Sequence, residues 1–289
     1  MVEIYVSWCK GISDNNEALE MIKRSDIIDG IETSELEDID KLKKSGIKSS
    51  IHRPFRWKGF NLEEKDAPNY NEEEILKYNN SDAPVLGFHL IDYKEKQPEN
   101  NKVVLNNIIN NLKKFEKLFS KSVVFELQPY DSYLLKTRGE GAEFLTGKEI
   151  IKDILKNTNS GMLLDISHTY VSGMNKIQKG KYKGTIEEYF KEILEVSRER
   201  IFQLHINVPV KKEEGYEDAH KTFEDNQMSK KIINLIKLVL PECKNLKLIT
   251  LEVRTNLSSL EHVKKTVEQT EKLNRELGLK KNIKIPFEK

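Results

Sequence analysis

Eight short apolar runs, each separated from the next by a longer stretch, constrain this chain more than any other feature. They fall at 2–7 (VEIYVS), 27–33 (IIDGIET), 47–52 (IKSSIH), 84–90 (PVLGFHL), 122–127 (SVVFEL), 161–166 (GMLLDI), 201–207 (IFQLHIN) and 247–253 (KLITLEV). Apolar, β-branched runs of this length suit strands covered on both faces. Between them lie helical patterns, clearest at 102–119, 146–157, 185–197, 225–240 and 259–277, with shorter ones at 15–25, 34–45 and 72–79. In 225–240, Ile232, Ile233, Ile236 and Val239 share one stripe and lysines take the other face. Thr185 followed by Glu187 and Glu188 predicts a helix start, and Gly278 a helix stop. Strands alternating with helices give a parallel sheet with right-handed crossovers. Eight such units closed on themselves make an α/β fold, a single (β/α)₈ TIM barrel. An open doubly wound sheet is the alternative, but no glycine-rich dinucleotide fingerprint follows the first strand.

A chain of 289 residues matches one such barrel, so residues 1–289 are read as a single domain. This length folds without disulfides or a structural metal, so any metal is expected to be catalytic. Only two cysteines occur, Cys9 and Cys243. They make neither a disulfide framework nor a thiolate cluster, and each is expected to be a small buried hydrophobe. The 48 basic and 47 acidic residues leave a net charge of +1, which exerts no global pull toward nucleic acid. The N-terminal MVEIYVSWCKG lacks a signal-peptide pattern, and no apolar run approaches the length of a membrane span. A cytoplasmic protein without membrane contact is the expectation.

The placement of histidines and carboxylates carries the functional argument. Of six histidines, five fall at or just after a strand end. His52, His89 and His205 end their strands, His168 follows LLDIS, and His220 sits in the loop after the seventh strand. His262 lies on a helix, where a solvated side chain is the expectation. Glu126, Asp165 and Glu252 close the apolar runs VVFE, MLLD and LITLE, and Asp218 stands two residues before His220. A carboxylate is rarely buried without a partner. In a barrel these positions converge on the C-terminal face, where active sites form. Each residue alone has an ordinary structural role open to it, as a cap or ion-pair partner; the coincidence does not.

Imidazole and carboxylate without thiolate suit zinc, iron or manganese. Nine ligands exceed what one ion takes, so two or three ions with at least one bridging carboxylate are expected. Clustered ions would acidify a bound water and polarise a substrate oxygen; with iron, open positions could bind O₂. The long stretch 53–83 contains Arg56, Trp57 and Tyr70 and is expected to shape the substrate side.

The order His52, His89, Glu126, Asp165-x-x-His168, His205, Asp218-x-His220, Glu252 resembles the xylose isomerase-like barrel superfamily. Two branches come close from about residue 47 onward. GMLLDISHTYVSG and HIN at 205–207 resemble endonuclease IV, a zinc phosphodiesterase acting on abasic DNA. That resemblance implies one ion on His52, His89 and Glu126. It implies a second on Glu126, Asp165, His205 and Glu252, and a third on His168, Asp218 and His220. Ala219 departs from that family, which has Arg there, and 221–225 reads KTFED. Under this reading Trp57 would meet nucleic acid by stacking or wedging. The multinuclear non-heme iron-dependent oxidases match over longer segments: ELQPYDSYLL, SGMLLDISHTYVSGMN, DAHKTFED and LITLEVRTNLSSLEHV. His168 departs from them, since that family usually has Asn. Their resemblance implies iron, O₂, a peptide substrate modified at cysteine and a small partner protein that presents it. Substrate contacts are expected from Arg56, Trp57, Tyr130 and Tyr170. The sugar isomerases and epimerases of the superfamily, which act on small molecules, are a third reading, against which the number of ligands counts. The longer matches favour the oxidase branch, and His168 favours the phosphodiesterase.

Overall fold

The computed structural model describes residues 2–7, 12–91, 100–139, 141–255 and 257–279, the side chain of Trp57 excepted. Among the described residues ten strands occur: β1 Glu3–Ser7, β2 Gly30–Thr33, β3 Lys48–His52, β4 Val85–His89, β5 Ser122–Glu126, β6 Gly161–Asp165, β7 Ile201–Ile206, β8 Val208–Lys212, β9 Gly215–Lys221 and β10 Leu248–Leu251. Eight of them close a parallel barrel in the order β1-β10-β7-β6-β5-β4-β3-β2. The other two, β8 and β9, form an antiparallel hairpin above it. Among the described residues no helix is long and apolar enough to cross a membrane.

The period of two along each strand stacks the barrel interior in layers. Tyr5, Val85, Val124, Leu163 and Leu248 form an apolar plug with Ala83. One step further along lie the buried polar side chains of Ser50, Gln203 and Thr250, joined by Glu32. Two residues beyond these stand His52, His205 and Glu252, and two residues beyond Val124 and Leu163 stand Glu126 and Asp165. The barrel is therefore dry at one end and carries titratable groups at the C-terminal ends of its strands. The larger apolar cluster lies outside the barrel, between strands and helices, where Ile232, Ile236 and Val239 of the helix Gln227–Val239 are buried.

Helix ends follow the sequence signals. Thr185 and Glu188 form a reciprocal capping box, and Gly278 closes the helix Ser259–Leu277 with φ +62°. Three expectations change. The segment Ile166–Gln178 is a helix starting directly at the end of β6, although its Ile, Thr, Val, Ser and Gly content is unfavourable. It is buried nearly all round, so no amphipathic stripe marks it. Asp218 and His220 lie on β9 of the hairpin rather than in an irregular loop. His262 is not solvated: it is buried, its Nδ1 2.9 Å from Thr255 Oγ1, on the inner face of its helix. Cys243 is buried, which pushes its thiol up to about 12, as befits an inert hydrophobe; Cys9 lies outside the described residues.

Gly30 tests the tightness of the strand packing. A Cβ there would sit 2.4 Å from the backbone oxygen of Lys48 and 2.8 Å from Tyr5 Cε2. Backbone of a paired strand cannot withdraw as a side chain would. Gly30→Ala is expected to cost about 1–3 kcal/mol of stability. In urea unfolding the midpoint should fall with an unchanged slope; an unchanged midpoint would show that β2 can shift.

Candidate metal centre

Each side chain of the cluster is aimed by the element that carries it. His52, His89, Glu126 and Asp165 are the last residues of β3, β4, β5 and β6. His205 lies on β7, and Glu252 follows β10, its N–H donating to Ile206 O at 3.0 Å. Asp165 also caps the helix after it, accepting from the His168 N–H at 2.7 Å. That places His168 in the first helical turn. The structure brings all nine residues together at one end of the barrel, in three groups whose ligand atoms lie within 4.8 Å of one another. They are His52, His89 and Glu126; Glu126, Asp165, His205 and Glu252; and His168, Asp218 and His220. A fourth combination joins Glu32 to His52 and His205.

Glu126 links the first two groups. Its Oε2 lies 2.8 Å from His52 Nε2 and 2.9 Å from His89 Nε2. Its Oε1 faces the other way, 3.2 Å from His168 Nδ1 and 3.9 Å from His205 Nδ1, and has no hydrogen-bond donor although fully buried. In the third group His168 Nε2 and His220 Nε2 approach Asp218 Oδ2 at 3.3 and 2.8 Å. His220 Nδ1 is buried without a hydrogen bond, and the residue has φ +45°, uncommon for a side chain of this size. These unsatisfied acceptors, with a donor set of oxygen and nitrogen only, fit divalent ions of the zinc, iron or manganese type.

Neighbouring hydrogen bonds choose which ring nitrogen is offered. His168 Nδ1 donates to Leu127 O at 2.9 Å, leaving Nε2 for the third group. His89 Nδ1 lies 2.8 Å from the Gln128 side-chain amide, whose oxygen is otherwise unpaired. As placed, the amide donates to Nδ1 and the His89 proton sits on Nε2 facing Glu126; an ion there would require the amide turned so that its oxygen accepts from Nδ1. Asn207 donates to Asp165 Oδ2 at 3.0 Å, and Ser167 to Asp218 Oδ1 at 3.1 Å. Each carboxylate oxygen keeps a further lone pair for an ion. Sequence reasoning missed Glu32, buried at the end of IIDGIE with the same signature as Glu126 and Glu252.

The charges of the cluster compensate one another. Burial resists ionisation of Glu126, but His89, His52 and His168 outweigh it and hold the carboxyl well below its usual range. Asp218 is likewise held low by His220 and His168 against burial. Burial pushes Asp165 up to about 6, with Asp218, Glu126 and Glu252 adding to it and His168 opposing. His89 is pushed down to about 3, by burial first and Arg53 next, against the pull of Glu126. His168 and His205 stay well above the usual range because their carboxylate neighbours outweigh burial, and His220 is raised in the same way.

Of the expected substrate contacts, Arg56 is exposed and donates to Ser34 Oγ at 3.2 Å. Its segment runs over the cluster's edge, since Arg53 N donates to Gly87 O at 2.7 Å and Leu62 N to His89 O at 3.2 Å. Tyr130 and Tyr170 are not brought to the mouth of the barrel. Both are fully buried in the apolar core, where Tyr170 packs edge-on against Tyr216.

Two outcomes follow from this geometry. His220 belongs to one group and Glu126 to two. His220→Ala should therefore lose one ion, and Glu126→Ala should weaken two, read as metal equivalents per chain by elemental analysis. Equal loss in both would contradict the grouping. The raised histidines stabilise the metal-free fold below the ordinary histidine range, a contribution lost as pH climbs through their raised values. Ligation needs those protons removed. Adding zinc to the metal-free protein in weakly buffered solution at neutral pH should release protons, and affinity should rise with pH. Uptake without proton release would contradict this protonation pattern.

Comparison with known proteins agrees with the geometry. No curated protein matches the chain by sequence. A D-tagatose 3-epimerase-like protein superposes with a TM-score of 0.61 at 17% identity, over 95% of this chain and 99% of its own. A xylose isomerase domain protein from Alicyclobacillus acidocaldarius gives 0.60 at 12%, over 96% and 100%. An AP endonuclease of family 2 from Brucella melitensis gives 0.54 at 13%, over 90% and 96%. These likenesses show a TIM-barrel fold. The model of one family matches residues 99–275, well over half of the chain and all of the cluster but Glu32, His52 and His89. By that match the chain belongs to the RiPP precursor modification enzyme family MbnB/TglH/ChrH.

Proposed function

We propose that this protein is a multinuclear non-heme iron oxidase that modifies a precursor peptide, at a cysteine, with O₂ as oxidant. The observation that carries the reading is the family match over a segment containing seven of the nine ligand residues. The donor set agrees, since oxygen and nitrogen ligands suit Fe(II) as well as zinc. When bound, two or three irons supply O₂ binding, electron transfer and a coordination position for the peptide thiolate.

The chain's own residues prepare that chemistry. Glu126 presents one oxygen to each of two groups and would hold an ion on each. His168 and His89 are held with one nitrogen toward the cluster. Four ligand carboxylates offset two divalent ions, so a third ion leaves positive charge that an anionic substrate group such as a thiolate would neutralise. The exposed Arg56, with Trp57 beside it, remains the candidate first contact for the peptide, or for a small partner protein that presents it.

The phosphodiesterase reading keeps one supporting observation. His168 Nε2, Asp218 and His220 form a complete third group, as a zinc hydrolase acting on nucleic acid would use. The sugar epimerase reading rests on fold likeness alone, which does not decide chemistry.

The deciding test loads the metal-free protein anaerobically with iron, or with zinc in parallel. Cysteine-containing peptides with and without O₂ are then followed by oxygen uptake and mass spectrometry. The expected result is oxygen consumption coupled to a peptide mass change with iron and none with zinc. Cleavage of abasic duplex DNA by the zinc form, with no oxygen uptake by the iron form, would overturn the proposal.

A further inference from the structure

We infer that Glu32 is a positioning residue: by accepting the Nε2 proton of His205 it turns His205 Nδ1 toward the metal cluster. The inference deepens the reading of the cluster as a metal centre and rests on it. His205 is fully buried, with Nε2 2.9 Å from Glu32 Oε1 and Nδ1 3.0 Å from Glu252 Oε2. One ring nitrogen must carry a proton, and only the other can bind an ion.

Glu32 has the standing to decide which. Its second oxygen, Oε2, takes the Gln203 amide at 2.6 Å, the Thr250 hydroxyl at 3.2 Å and the Ser50 hydroxyl at 3.4 Å. A carboxylate surrounded by donors on one oxygen and by an imidazole on the other is held ionised below the cluster. It has little left to offer an ion, so it acts through His205 rather than as a ligand beside His52. The Gln203 amide also lies 3.0 Å from His205 Nε2, and this contact defines the competing arrangement. If Gln203 donated to a bare Nε2, the proton would sit on Nδ1 and His205 could not ligate with Glu126, Asp165 and Glu252. An anionic acceptor binds the imidazole N–H more strongly than an amide donor binds its lone pair, and Gln203 is closer to Glu32 than to His205. The proton therefore belongs on Nε2. The strands make this layer: Glu32 is in register with Ser50, and His205 with Thr250.

The test uses the full chain, stripped with chelator and titrated with zinc against a competing indicator. In wild type loaded with zinc, long-range proton–nitrogen NMR should show His205 protonated at Nε2 and metal-bound at Nδ1. The signal is assigned by its loss in His205→Ala. Glu32→Ala should weaken one zinc site by about 10- to 100-fold and spare the ion on His168, Asp218 and His220. Glu32→Gln should recover most of that affinity, because its amide oxygen still accepts the Nε2 proton while the unpaired Gln203 oxygen turns to meet its NH₂. A direct ligand would behave otherwise, with both variants equally weak, and that result would overturn the inference. So would metal on Nε2 of His205, or unchanged affinity in Glu32→Ala. A wild-type chain that takes up no zinc or iron would bring down the metal-centre reading itself and this assignment with it. Normal uptake with unaffected Glu32 variants would bring down the assignment alone.

Discussion

The burial of Glu126 is the constraint on which the rest of the centre depends. A carboxylate with no exposed surface at the end of an apolar strand is unfavourable unless cations or donors surround it. His52 and His89 meet one of its oxygens, and the other faces His168 and His205. Those four histidines come from four separate places in the chain. The closed barrel brings three strand ends and one helix start within reach of one residue, so the fold and the centre impose the same geometry. The imidazoles in turn face Asp218 and Glu252, and charge compensation spreads through the set. Without ions the cluster is a network of strong imidazole–carboxylate pairs, and with ions it exchanges protons for metal.

What the sequence made legible follows from how directly each element shows its periodicity. Fully covered strands appear as uninterrupted apolar runs, and the polar residue that ends each run points into the site. The predicted strand ends therefore fall within about two residues of the observed ones, and all nine proposed ligands meet. The helix Ile166–Gln178 was hidden because burial on every side erases the stripe that marks a helix. The hairpin carrying Asp218 and His220 was hidden because its strands alternate weakly and carry lysines and glutamates. Tyr130 and Tyr170 were attractive as aromatic contacts, yet a tyrosine in a matched segment is as readily a core residue. His262 shows the converse error, since a helix face cannot be read as solvated from one polar residue.

Glu32 illustrates why the supporting residues of a site are harder to read than its ligands. It ends an apolar run as Glu126 does, but its partners Gln203, Thr250 and Ser50 are residues whose hydrogen bonds sequence cannot assign. Their common role appears only when three strands are laid side by side. Period two then places a polar layer one step below the histidines. That layer insulates the apolar plug of Tyr5, Val85, Val124, Leu163 and Leu248 from the charges above.

The three ligand groups are not mechanically alike, and the difference bears on what the centre can do. Two are built almost wholly on hydrogen-bonded barrel strands, each held on both sides by neighbours. The third takes His168 from a helix start, and Asp218 and His220 from a hairpin that is two-stranded among the described residues. His220 is held there at φ +45°, with its carbonyl accepting from Arg254 at 2.8 Å. The hairpin is braced instead by the helix Ile166–Gln178, whose Asn175 side chain bonds both the N–H and the carbonyl of Tyr216 at 2.8 Å. If ions occupied the three groups, two would rest on the barrel strands, and the third would rest on the helix start and the hairpin.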